Sequence, residues 1–232
     1  MNAITLSNVN VFLSGSHVLQ GVTLEVPSNK VTALLGRNGV GKTTTMRAIM
    51  GLIPSTGNIT LFEKPINGLP THKIAQAGIG YVPEDRDIFA TLTVSENLSL
   101  AVRDANPNYD LVYSLFPELL QRASQRAGTL SGGQQQMVAI ARSLLNKNQI
   151  ILVDEPTKGL APKLVSEVAD ALSKVASETT MLLVEQNLAL VRRVAEYVIV
   201  MSQGTVVFQG DPSSLHDEDF VHSMLGVSGG AH

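Results

Sequence analysis

An α/β fold built on a largely parallel sheet is what this sequence predicts, and three observations carry the prediction. Apolar runs of strand length alternate with stretches of helical period over most of the chain. One such run, KVTALLG at 30–36, ends in a glycine-rich turn that leads into a helical pattern. Another, QIILVDEP at 149–156, carries four successive apolar residues followed by two carboxylates. Strands apolar on both faces mark a parallel sheet with helices on either side.

Residues 4–13, ITLSNVNVFL, read as a strand and 22–26, VTLEV, as a second; their closeness predicts antiparallel pairing at one edge. The run at 30–36 precedes a helix from Gly41 to about Met50. GNITLF, 57–62, is a short strand after a turn, and AGIGYVP, 77–83, is another that stops at proline. From about Glu84 to Leu145 the period is helical. Thr93, with Glu96 three residues on, matches a capping box for a helix over 93–102. A helix over 108–123 contains a proline. SGGQQQMVAIARSLLN then places Met137, Ile140, Ala141 and Leu144 at helical spacing, with three glutamines read as burying nothing. This predicts a helical lobe, 84–145, inserted into the α/β body. The body resumes with a strand at 149–156, a helix at 163–176, a strand at 180–185, a helix at 188–194 and strands at 197–202 and 205–210. One or two short helices within 211–225 and a loose tail at 226–232 close a single domain, 1–232. The expected sheet is mixed but largely parallel, with an N-terminal antiparallel β part.

At 232 residues the chain buries a sizeable core. A formal charge of −3 and the lack of a basic run argue against nucleic acid as a partner. The chain contains no cysteine, which excludes disulfide and thiolate chemistry. No basic segment followed by an apolar signal core opens the sequence, and no stretch approaches the roughly 18 apolar residues that span a bilayer. The sequence reads as soluble, with any membrane role coming through a partner.

GRNGVGKT, 36–43, is the strongest motif: glycine, four residues, then Gly-Lys-Thr. It lies between a strand and a helix, where backbone N–H groups can turn inward around phosphate oxygens and the helix start favours negative charge. Gly36, Asn38, Gly39, Gly41, Lys42, Thr43 and Thr44 are therefore candidate nucleotide contacts. Lys42 is expected on the terminal phosphates and the Thr43 hydroxyl on magnesium. At the end of the strand over 150–153, Asp154 is placed to support the metal, and Glu155, one step on, to polarise an attacking water.

With these motifs the sequence resembles the ATP-binding subunits of ABC transporters over nearly its whole length, and LSGGQ, 130–134, matches that family's signature. The resemblance implies an ATPase with ATP and Mg2+ as cofactors. Two such subunits, identical or paralogous, sandwich two nucleotides, so that Ser131, Gly132 and Gly133 bind the γ-phosphate held by the partner's Lys42. Two membrane-spanning permease subunits and, indirectly, an extracytoplasmic solute-binding protein are the implied partners, with the chain on the cytoplasmic face of the membrane. The family's adenine-stacking position falls at Leu13, with Phe12 beside it; either could cover the base. Its glutamine loop falls at YVPEDRDIF, 81–89, with Glu84 as a possible magnesium neighbour. Where most relatives have histidine the chain has Gln186, which can sense phosphate but cannot carry a proton at neutral pH. KGLAP, 158–162, replaces the family's aspartate-bearing loop. PEDR, VEQN and GLAP resemble the branched-chain amino acid importer subgroup. LLGRNGVGKTT and GSHVL resemble the urea importer subgroup. A regulatory module that binds ATP but barely hydrolyses it is the reading from another class.

Overall fold

Alternating apolar residues in the first 27 positions fold into a long hairpin. In a computed structural model, which describes residues 1–226, β1 (Asn2–Leu13) and β2 (Ser16–Pro27) pair antiparallel, with Phe12 opposite His17 near the turn. β2 begins well before VTLEV because register shifts let the backbone follow β1 past Gly21. β3 (Val31–Leu35) is buried throughout and feeds α1 (Lys42–Ile49). Then come β4 (Thr56–Leu61), β5 (Lys64–Pro65), α2 (Thr71–Gln76) and β6 (Ile79–Val82). The pattern of residues does not reveal β5 or α2: the first has two residues, and the second buries only Ile74.

Four helices follow: α3 (Val94–Ala101), α4 (Tyr109–Leu115), α5 (Pro117–Gln121) and α6 (Gly132–Leu144). The single helix expected over 108–123 is two. Pro117 starts the second and holds Phe116 out of helical geometry at φ −130°. The capping box of α3 forms as the sequence predicts, with the Thr93 side chain accepting from the Glu96 N–H and Glu96 reaching back. The chain continues through β7 (Ile150–Asp154), α7 (Pro162–Ala176), β8 (Thr180–Val184), α8 (Leu188–Val194), β9 (Tyr197–Ser202), β10 (Thr205–Gly210) and α9 (Glu218–Leu225). Of the expected tail only Gly226, which closes α9, belongs to the described residues.

The strands form two sheets. One runs β2-β1-β4-β5, all antiparallel; the other runs β10-β9-β3-β8-β7-β6, parallel except for the β9–β10 pair. The antiparallel part is thus a sheet of its own. It is stitched to the β9–β10 hairpin, where the Gln20 N–H donates to the Gly204 carbonyl in the turn at 2.8 Å and the Glu25 N–H to Gln209 Oε1 of β10 at 3.1 Å.

Period-two burial splits the long sheet between two layers. Ile150, Leu152, Leu182, Val184 and Ile199 face α1 and the antiparallel sheet. Ile151, Val153, Met181 and Leu183 face α6, α7 and the helices between β6 and β7. Ala33, Leu35, Val198 and Val200 meet α8 and α9. Each fully buried leucine or isoleucine in these layers contributes about 1.5–3 kcal/mol relative to exposure. The sheet is therefore a rigid base, and the loops at its carboxyl edge inherit that rigidity.

Candidate nucleotide site

The candidate groups converge at the C-terminal ends of β3, β6, β7 and β8, the side of an open parallel sheet on which ligands bind. Between β3 and α1, Gly36, Gly39 and Gly41 have φ of 144°, 80° and 108°. A Cβ on Gly36 would lie 2.4 Å from the Met201 carbonyl oxygen, so close packing requires glycine there. At Gly39 nothing lies within 4 Å; the backbone conformation alone selects glycine, and the loop keeps an open face. Lys42 Nζ donates to the carbonyls of Gly36 at 2.8 Å and Arg37 at 3.0 Å. Burial draws its pKa below the ordinary lysine value, against the attraction of Glu155. A cavity of about 430 Å³ opens here, lined by Asn38, Gly39, Gly41, Lys42, Thr43 and Thr44 together with Glu84, Glu155 and Lys158.

The two adjacent carboxylates have different surroundings. Asp154, the last residue of β7, is 0% exposed. Its Oδ1 accepts from Thr43 Oγ1 at 3.3 Å, while Oδ2 is buried with no partner. Burial pushes this carboxyl up to about 6. An unpaired buried carboxylate oxygen beside a hydroxyl, at the rim of a phosphate cradle, suits a hard cation. Among the described residues no three or more acidic, histidine or cysteine side chains form a metal cluster. A metal at Thr43 and Asp154 would draw its other ligands from the nucleotide and water.

Glu155 leaves the strand with φ 46°, an uncommon conformation for a residue with a side chain. Its Oε1 accepts from Gln186 Nε2 at 2.6 Å and lies 3.8 Å from Lys42 Nζ; its Oε2 lies 3.8 Å from Lys158 Nζ. Gln186 Nε2 also donates to Asn38 Oδ1 at 2.8 Å, so one neutral amide ties Glu155 to the glycine loop. Glu84, after β6, forms an ion pair with Lys158.

The structure also uses residues the sequence reading passed over. Glu185 is buried, accepts from the backbone N–H groups of Gln186 and Asn187, and accepts from Thr157 Oγ1 at 2.9 Å. It fastens the loop after β7 to the loop after β8. Lys158 and Arg86 belong to the same class. The only signal for any of the three is adjacency to a motif residue, since Thr157, Glu84 and Gln136, the side chains that give them their roles, are distant in sequence.

At the hairpin turn, Phe12 stacks on His17 with ring centroids 4.1 Å apart and 9° between planes. Phe12 and Leu13 are both exposed, and neither lines the phosphate cavity. Ser131, Gly132 and Gly133 also do not line it. They stand at the tip of α6, where Ser131 Oγ accepts from the Gln134 N–H at 3.3 Å and Gln134 Oε1 accepts from the Ser131 N–H at 3.1 Å. Gly133 packs so closely on α7 that a Cβ would fall 2.2 Å from the Leu164 side chain. The glutamines that follow do not all lie at the surface. Gln136 is buried, and its Oε1 accepts from Arg86 Nε at 3.3 Å because the loop after β6 folds over α6.

A glycine loop on a helix start, a buried lysine and two carboxylates at the end of an inner strand define a P-loop ATPase. The profile of the family described as "ABC transporter" matches residues 19–158. The chain is 34% identical over 219 residues to the high-affinity branched-chain amino acid transport ATP-binding protein BraG of Pseudomonas aeruginosa, covering 91% of this chain and 94% of that one. It is equally 34% identical over 236 residues to the lipopolysaccharide export system ATP-binding protein LptB of Escherichia coli (strain K12), covering 97% and 98%. A solved ATP-binding cassette of an ABC transporter in its ADP conformation superposes with a TM-score of 0.79 at 25% identity, covering 96% of this chain and 98% of that one. The chain belongs to the ABC transporter family, as an ATP-binding subunit that hydrolyses ATP.

Proposed function

We propose that the protein is the ATPase subunit of an importer for branched-chain or similarly hydrophobic amino acids, working as a clamp of two subunits. The observation that carries the clamp is the separation of its two phosphate-binding elements. The cradle of Asn38, Gly39, Gly41, Lys42, Thr43 and Thr44, entered through Gly36, lines one cavity, while Ser131 and Gly132 are exposed at the tip of α6 with Gly133 packed behind them on α7. A second ATPase subunit, identical or paralogous, supplies the missing tip. Within one site Thr43 and Asp154 hold Mg2+, with Glu84 beside it. The metal neutralises phosphate charge. Glu155 accepts the proton of the attacking water, and Gln186 orients Glu155 and senses the γ-phosphate without titrating. Leu13 or its neighbour Phe12 covers the adenine.

Among the described residues no helix is long and apolar enough to cross a membrane. The solute path then belongs to two permease subunits, with the extracytoplasmic binding protein acting through them and the ATPase attached at the cytoplasmic face. A groove of about 320 Å³ lined in part by Tyr81, Arg86, Arg103 and Arg142 is where we place the permease contact, relayed by the helical lobe over 84–145. The amino acid cargo rests on PEDR, VEQN and GLAP. The match to a lipopolysaccharide export subunit at equal identity favours a second reading, an ATPase serving another cargo.

Isolation from native membranes in mild detergent, with mass spectrometry of the co-purifying chains, tests this. Two permease subunits and a related ATPase, with a binding protein that takes up leucine or isoleucine, are expected. Recovery with lipid-export components would overturn the amino acid cargo. Recovery without any membrane protein would overturn the transport role.

A further inference from the structure

The loop after β7 places a second lysine in a cavity that already holds the Lys42 ammonium. A tight turn, in which the Lys158 N–H donates to the Glu155 carbonyl at 3.2 Å, folds the Lys158 side chain back over Glu155. Gly159, at φ 70°, then turns the chain away. The ammonium stands between Glu84, its ion-pair partner, and Glu155 Oε2 at 3.8 Å. Lys158 lines the phosphate cavity with those two carboxylates, yet 59% of its side chain is exposed, against 8% for that of Glu155. Its side chain thus has solvent to move into, and its charge matters where it stands.

We propose that Lys158 is a built-in competitor of the divalent cation. In the nucleotide-free protein it neutralises Glu84 and Glu155, and it releases Glu84 when the metal–nucleotide complex enters. An ammonium and a divalent cation seek the same carboxylate oxygens and repel each other, so one excludes the other from Glu84. The exchange would reach further than the cavity. Two residues beyond Glu84, Arg86 donates from Nε to Gln136 Oε1 at 3.3 Å on the helix that carries Ser131. Releasing Glu84 therefore frees a loop anchored on that helix. The inference rests on the cavity being a metal–nucleotide site.

The test is metal affinity. The full-length chain loaded with ADP is titrated with Mn2+, and free Mn2+ is counted by electron paramagnetic resonance. Lys158→Met is expected to tighten Mn2+ binding roughly fivefold, the scale of one exposed ion pair. Lys158→Ser should do the same, and Lys158→Arg should keep the wild-type value. In a Glu84→Gln background, Lys158→Met should change Mn2+ binding by less than about twofold, since the contested carboxylate is gone. No tightening in Lys158→Met and Lys158→Ser overturns the proposal. Equal tightening with and without Glu84 overturns it too, because it reports only a general loss of positive charge. Failure of the wild-type chain to bind ADP would instead overturn the nucleotide reading itself.

Discussion

The phosphate cavity and the tip of α6 are the same local device, small residues at the start of a helix, finished in opposite ways. In the cavity four loops meet, and their polar groups hold one another: Lys42 on two loop carbonyls, Glu155 on Gln186, Gln186 on Asn38. At the tip Ser131 and Gln134 cap each other and face outward. A helix start is an anion site by its own dipole. What surrounds it decides whether the site is complete within one chain.

The largest effect should come from Glu155→Gln. If Glu155 accepts the proton of water, kcat should fall on the order of 10²–10⁴-fold while ATP affinity holds. Steady-state turnover and equilibrium binding measured side by side decide this; undiminished turnover would remove the assignment.

Gly132→Asp attacks the other half of the comparison by placing a charge on the exposed tip. ATP turnover should drop by roughly tenfold or more through repulsion of the partner's phosphate, with ADP binding to the single chain unchanged. Weakened ADP binding by the isolated subunit would mean that the tip belongs to its own cavity.

Asp154→Asn probes the cost of the unpaired carboxylate. The folded carboxyl is raised to about 6 by burial, so the native state keeps its proton over a range where the unfolded chain has lost it. This group's contribution to stability is therefore largest below about pH 4 and declines as pH rises through 6. At pH 7 without nucleotide the variant should be more stable by about 1–3 kcal/mol, and the gap should close on acidification. Thermal melts between pH 4 and 8 show it; a variant that melts lower at pH 7 contradicts the burial cost. Mg-dependent stabilisation by nucleotide should vanish in the same protein.

The smallest change sharpens the comparison at its edge. Leu13→Tyr offers adenine an aromatic face and should tighten ATP binding by about threefold. Phe12→Tyr, beside His17, should leave affinity unaltered if Leu13 is the residue under the base. Fluorescence titration of both variants separates the two positions.

What could be read in advance follows the same division. The buried run of β7, the glycine loop and the capping box of α3 are local signals, so their types and places are visible in the sequence. Gln136 reads as a surface residue until the loop after β6 folds over it, and Glu185 reads as a strand-end carboxylate until Thr157, 28 residues away, donates to it. The break at Phe116 is encoded by Pro117, yet the helical period on both sides disguises it. Tertiary partners decide the first two; the third is local, set by the proline itself.

The left-handed backbone of Glu155 has a practical consequence for protein engineering. A side chain at φ 46° strains the chain by about 1 kcal/mol or more, and glycine would adopt that geometry freely. Glycine there would relieve the backbone but leave buried Lys42 and the Gln186 amide without the carboxylate they hold, so backbone ease and the integrity of the site pull against each other at one residue. Directed evolution of this ATPase therefore needs a turnover screen at every round.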